Sequence, residues 1–206
     1  MATPGLLSMR ATSFIGLGLL SLALAGATSY ETEPLLEAPA GPYRGTVLDA
    51  ESKRPLEGAG VVLIWQRPDP YFPQQRLTLL AREAMTDGAG QFVLDVASTE
   101  EQFAKHAFAP RIVIFKAGYI PYPRERQLFP PGYSALQFVG EGAQVLLKPV
   151  TADYDDQADA FNQFYEVLNS AHVPPADIPL TWQAVMEELR RLMATMPKPM
   201  RGGGRP

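Results

Sequence analysis

Residues 58–65, GAGVVLIW, decide the fold that this sequence predicts. Five apolar side chains follow Gly60 with no polar residue between them. Alternating apolar and polar residues would indicate a strand with one solvated face, whereas this continuous run indicates a strand that is buried on both faces or nearly so. The glycines Gly58 and Gly60 mark a turn before it. The segment is therefore expected to form a central strand of a layered β-structure.

Further strand candidates lie on both sides of this run, and all of them are short segments bounded by turn signals. They are residues 43–48, 76–86, 91–94, 111–116 and 144–148. The 20 prolines and 17 glycines also favour short strands and turns over a helical bundle. We therefore predict a mainly β fold, an antiparallel β-sandwich of six or seven strands.

Residues 86–91, TDGAGQ, are compatible with either a ligand-binding loop or a turn. A calcium loop needs several oxygen ligands at alternate positions, and a phosphate loop needs a glycine-rich turn that leads into a helix with a lysine. Here Asp87 is the only acid, and a strand follows. We therefore interpret the segment as a hairpin turn in which Asp87 accepts backbone N–H groups while Gly88 and Gly90 adopt positive φ.

The first 27 residues have the pattern of a secretory signal. Arg10 precedes the uncharged apolar stretch 11–27, which ends in the small residues Ala25-Gly26-Ala27. The alternative is an uncleaved membrane anchor, although the stretch is short for a spanning helix. Residues 28–41 are interpreted as a linker. We expect an exported protein, periplasmic or extracellular, that meets a membrane only through this segment if the segment stays uncleaved.

The composition excludes several classes of protein. Cysteine is absent, so the chain can have no disulfide, no thiolate metal site and no lipid-anchoring cysteine. The net charge of −4 predicts no general attraction to nucleic acid. The only local basic stretch is the glycine- and proline-rich tail, residues 198–206, which is predicted to be disordered.

Residues 151–197 predict two amphipathic helices that form a hairpin. The first, about residues 155–171, has acidic residues crowded at its start, where the helix dipole favours them. In the second, Thr181 is the expected cap and Glu187 the expected partner of Arg190 or Arg191. Its apolar face either packs on the sheet or, because methionine adapts to varied contacts, docks on a partner protein. The docking candidates are Trp182, Met186, Leu189 and Met193.

Aromatic side chains in the β region are candidate ligand contacts. Several of them lie in a long connection, residues 116–142, or in a proline-rich segment, residues 67–73. They are suited to stacking on sugar rings or gripping an extended peptide, and the alternative is that they cover an edge of the sandwich. The candidates are Trp65, Tyr71, Phe72, Tyr119, Tyr122 and Tyr133.

Four glycine-containing motifs follow one another along the β region: Gly45-x-Val47-x-Asp49, Pro55-Leu56-x-Gly58-Ala59-x-Val61, Thr86-Asp87-x-x-Gly90-x-Phe92 and Lys116-x-Gly118-Tyr119. In this order they resemble the carboxypeptidase regulatory-like domain family. The resemblance covers about residues 42–150 and implies a prealbumin-like β-sandwich that serves as an accessory module without a peptidase. The proline-rich segment 67–73, and residues 98–108, which are expected to form a short helix capped by Ser98, depart from the family pattern.

Sequence patterns of catalysis are scarce. The two histidines, His106 and His172, lack the His-x-x-Glu pattern of a zinc carboxypeptidase, and the acid pair Asp155-Asp156 is explained by its place at a helix start. We therefore predict no catalytic residue, no metal and no cofactor. The expected function is a structural or protein-interaction module of the bacterial cell envelope, whose partner is another envelope or extracellular protein. The alternatives are a carbohydrate-binding module that contacts polysaccharide and a hydrolase with dispersed carboxylates.

Overall fold

The structure is a computed structural model that describes residues 41–72, 75–96, 108–123 and 135–196. Several predictions fall outside these ranges. They are the signal at residues 1–27, the linker except Gly41, most of the short helix at 98–108, Tyr133, His106 and the basic tail.

The predicted fold class is confirmed, because the described chain is a two-sheet β-sandwich followed by two helices. The strands are β1 (Tyr43–Asp49), β2 (Gly60–Pro68), β3 (Arg76–Met85), β4 (Gln91–Leu94), β5 (Arg111–Phe115) and β6 (Ala143–Leu147). The helices are α1 (Tyr154–Ser170) and α2 (Pro179–Thr195), and short 3-10 helices cover Ala135–Phe138 and Pro175–Asp177.

The strands form an outer sheet in the order β4-β1-β6 and a central sheet in the order β3-β2-β5. Three of the four strand pairs are antiparallel, as the sequence predicts, but β1 and β6 are parallel from Gly45↔Ala143 to Asp49↔Leu147. A parallel pair needs a long crossover between its strands. The whole central sheet lies in the chain between β1 and β6, so it supplies that crossover.

Strand β2 is the middle strand of the central sheet, and both of its faces are buried. Val61, Leu63 and Trp65 point between the two sheets. Val62 and Ile64 point the other way, into a second apolar cluster with side chains of α1 and α2. The prediction from GAGVVLIW is therefore confirmed. The second face of β2 is buried because the helices form a third layer on the outer face of the central sheet.

The helical layer lies close to β2 at Gly60. A Cβ atom on Gly60 would lie 2.6 Å from the Thr181 side-chain oxygen, so the absence of a side chain lets α2 approach. Further along the layer, the rings of Phe115 on β5 and Phe164 on α1 have centroids 4.7 Å apart. The helices therefore extend the core, which agrees with the sheet-packing alternative for the apolar face of α2.

The two helices begin in different ways. Asp153 caps α1 by accepting a hydrogen bond from the Asp155 backbone N–H at 2.7 Å, and the acidic first turn predicted there is present. The prediction that Thr181 caps α2 is wrong. The helix begins at Pro179, and the carboxylate of Glu83 on β3 accepts the N–H groups of Leu180 and Thr181, each at 2.7 Å.

Candidate functional site

The turn at residues 86–91 is a scaffold, as predicted. One carboxylate oxygen of Asp87 accepts the backbone N–H groups of Ala89 and Gln91 at 2.9 and 2.8 Å. Gly90 has φ of +72°, and a Cβ atom there would lie 2.5 Å from the carbonyl oxygen of Val47. Gly88 does not have the predicted positive φ. The polar groups of Asp87 are thus used to hold the turn.

A second acid of the β region, Asp49, also holds a turn. One oxygen accepts the N–H groups of Glu51 and Ser52 at 2.8 and 2.6 Å, and the other accepts the Tyr119 hydroxyl at 2.9 Å. These hydrogen bonds to the charged form, with that of the Ser52 N–H foremost, lower the pKa of Asp49 to about 2. Asp49 therefore ties the end of β1 to the connection that follows β5.

Two of the predicted ligand contacts are engaged within the fold. Tyr119 is half-buried, and the pKa of its hydroxyl is raised by burial first and then by its hydrogen bond to Asp49 and the charge of that group. Tyr122 is half-buried, its hydroxyl accepts from the Gln137 amide at 3.0 Å, and its backbone pairs with Ile114 in both directions. The described part of the long connection therefore covers the β5 edge.

Trp65 is not available to a ligand, so its prediction as a ligand contact is wrong. Its side chain is fully buried, and its ring meets that of Tyr43 edge-on with centroids 5.9 Å apart. The cause is its place on β2, where odd-numbered positions point between the two sheets. The same burial of Tyr43 raises the pKa of that phenol above its usual range.

Tyr71 and Phe72, which we call the aromatic tip, remain exposed between β2 and β3. Their side chains are 85% and 58% exposed. Their loop is nevertheless held by its own hydrogen bonds: one oxygen of Asp69 accepts the N–H groups of both residues at 2.7 and 3.0 Å. Backbone bonds also join Asp69 to Gln75 and Gln75 to Phe72, at 2.9 and 2.7 Å. The backbone N–H groups of the two ring-bearing residues are thus engaged, while their side chains face solvent.

The predicted docking stripe on α2 is only partly exposed. Trp182, Met186 and Leu189 are half-buried, and Met193 is 64% exposed. The Trp182 ring lies 6.2 Å from that of Tyr165 on α1, so this side of α2 contributes to the seam between the helices. Most of the stripe therefore supports the packing of α2, and its exposed end is Met193.

The predicted partner of Glu187 is wrong. Glu187 accepts from the Gln183 amide at 3.0 Å, and the guanidinium of Arg191 instead binds both oxygens of Glu188 at 2.7 and 2.5 Å. Glu188 is only 5% exposed because it lies on the inner face of α2. A buried carboxylate needs a compensating charge more than an exposed one does, which explains the choice of partner.

Within the described ranges, no group of three or more histidine, aspartate or glutamate side chains is placed to hold a metal ion. Over the same residues, no helix has the length and apolar character needed to cross a membrane.

Comparisons with known proteins assign the chain to no family. No protein-family model matches the sequence, and no curated protein does. A solved structure of a 9R-lipoxygenase from Cyanothece PCC8801 is similar over 81% of this chain, with 14% identity and a TM-score of 0.33. The similar part spans 26% of the lipoxygenase chain. A TM-score this low does not indicate a common fold, and nothing about the function of this chain follows from it.

Proposed function

We propose that the chain is a non-catalytic β-sandwich module of the bacterial cell envelope, exported to the periplasm or the exterior, that binds another envelope or extracellular protein. The single observation that carries the proposal is the aromatic tip. Two adjacent rings, Tyr71 and Phe72, are exposed, and the backbone N–H groups of both residues are held by the Asp69 carboxylate.

Rigid exposed aromatic rings are the usual anchors of protein interfaces. A ring that enters a pocket of the partner contributes about 2 kcal/mol through burial of its apolar surface. Because the backbone N–H groups of Tyr71 and Phe72 are already bonded to Asp69, less backbone entropy is lost on binding than from an unbonded segment. The prolines Pro68 and Pro70 restrict the same backbone further.

The backbone N–H groups that the structure describes in this loop favour a protein partner over a polysaccharide. Sugar recognition combines ring stacking with hydrogen bonds to the hydroxyl groups. Here one carboxylate oxygen of Asp69 and the N–H groups of Asp69, Tyr71, Phe72 and Gln75 are used within the loop. A pocket lined by apolar side chains demands fewer hydrogen bonds from the tip than a sugar does.

Site-specific photocrosslinking in the native envelope tests the proposal. A benzophenone amino acid at position 71 should give a discrete protein adduct, and Phe72→Ser in the same chain should remove it. The same amino acid at Val93, which is 53% exposed on β4, is the control and should give no such adduct. Identical adducts from both positions, or adducts with polysaccharide alone, would refute a protein-binding tip.

A further inference from the structure

An open cleft of about 520 Å³ lies between α2 and the end of the central sheet. Its accessible apolar part is formed by Met85 at the end of β3 and by Leu180 and Ala184 on α2, while Phe115, which also lines the cleft, is only 2% exposed. Volumes of this size are typical of sites for small organic ligands. No function proposed above uses this cleft, because the aromatic tip lies on the connection between β2 and β3.

A positive charge is held at the edge of the apolar part. The ammonium of Lys116 donates to the carbonyl oxygens of Glu57 at 2.7 Å and Gly58 at 3.4 Å, which fixes its position. Lys116 is half-buried, and among the described residues no carboxylate lies within ion-pair distance of it. A lysine ammonium has three donors, so one donor and the whole charge remain for a ligand.

The acids of the cleft do not cancel this charge. Glu188 is buried and is neutralised by the two hydrogen bonds from Arg191. Glu187 is exposed, so water and salt screen its charge. A ligand that enters the apolar part therefore meets an uncompensated cation where the local dielectric constant is lower than that of water, and there the attraction is strongest.

We infer that the cleft binds a small amphipathic monocarboxylate. The carboxylate of the ligand accepts the free N–H of Lys116, and its apolar chain lies on Met85, Leu180 and Ala184. The inference is independent of the aromatic tip, because it depends on other residues and on a ligand of another class.

Three probes with one chain length separate charge recognition from apolar binding: octanoate, octanol and octylamine. The reporter is the ¹³C-labelled methyl group of Met85 in the folded full chain, assigned with Met85→Leu. Octanoate should shift this signal in a saturable way with an affinity about tenfold above that of octanol, the ratio given by one hydrogen bond between charged groups. Octylamine should bind more weakly than octanol. This ranking is measured on the unsubstituted chain, and Met85→Leu serves only to assign the signal.

Two variants locate the site. Lys116→Met should lower the affinity for octanoate about tenfold and leave octanol unchanged. Lys53→Met is the matched control, because the exposed ammonium of Lys53 also donates to a backbone carbonyl, that of Ala50 at 2.7 Å, and it should change neither affinity. Equal binding of octanoate and octanol, tighter binding of octylamine, a silent Met85 signal, or equal effects of the two lysine variants would each overturn the inference.

Discussion

Glu83→Ala tests how the helical layer is attached to the sandwich. The substitution removes the carboxylate of β3 that accepts the N–H groups of Leu180 and Thr181, each at 2.7 Å, at the start of α2. No side chain of the helix itself replaces it, since Ile178 at the cap position makes no side-chain hydrogen bond. The first turn of α2 would therefore lose its acceptor and its favourable charge together.

The expected loss follows from these two contacts. Removing a capping side chain costs about 1 kcal/mol, and removing a negative charge from a helix N-terminus costs about 0.5 kcal/mol more. The N–H of Thr181, which belongs to a fully buried residue, would lack an acceptor and adds about 1 kcal/mol. The free energy of unfolding should thus fall by about 2.5 kcal/mol, and Tm by about 5–10 °C for a chain of this size.

Urea denaturation and calorimetry of the same preparations measure this loss. Glu83→Gln keeps an acceptor without the charge, so it should lose about half as much. Glu166→Ala, the same substitution at an exposed position of α1, is the control and should stay within about 0.5 kcal/mol of the parent. If Glu83→Ala destabilised the protein as little as Glu166→Ala, the cap that Glu83 provides for α2 would contribute nothing to stability. Our account of how α2 is held would then be refuted.

Two further predictions concern the packing of α2 and the turn after β1. Gly60→Ala would place a methyl group 2.6 Å from the Thr181 side-chain oxygen, so it should lower the free energy of unfolding by about 1–3 kcal/mol in urea denaturation. Adding Thr181→Ala should recover part of this loss. Gly88→Ala is the control and should not destabilise the protein, because a methyl group there meets nothing within 4 Å. The pKa of Asp49 is about 2 in the folded protein, against an ordinary value of 3.8. The contribution of Asp49 to the free energy of unfolding is therefore full above pH 3.8 and is lost as the pH falls through about 2. The stability difference between the parent and Asp49→Asn should accordingly shrink between about pH 4 and pH 2, and a difference that is constant over this range would contradict the assignment.

The aromatic candidates show how far a sequence can specify which side chains are exposed. All six are plausible by residue type, but the fold buries Trp65, half-buries Tyr119 and Tyr122 with their hydroxyls engaged, and exposes Tyr71 and Phe72. Burial of an aromatic ring depends on which layers cover its strand or loop. Residue type alone therefore could not predict which of these rings the fold leaves exposed.

Lys116 in the cleft was not a sequence candidate for a ligand contact, because a single lysine at a strand end carries no signal. It gains a role only because the chain brings Glu57, Gly58 and α2 around it. The only local hint was its position directly after the apolar run that forms β5.

The sequence by itself determined the elements whose causes are local. The uninterrupted apolar run of β2 required two covered faces, the turn at residues 86–91 followed from Asp87 and Gly90, and the acidic start of α1 followed from Asp153 and its neighbours. Each of these depends on interactions within a few residues, or on a periodicity that a single segment carries.

Only the tertiary structure decided the features that join distant segments. Glu83 caps a helix that begins almost a hundred residues later, Asp49 binds the hydroxyl of Tyr119 across 70 residues, and β6 runs parallel to β1. Such contacts arise when burial of apolar surface brings layers together, and the polar groups then find partners among whatever the layers place nearby. That choice depends on the packing of the whole domain, so no local pattern in the sequence could predict it.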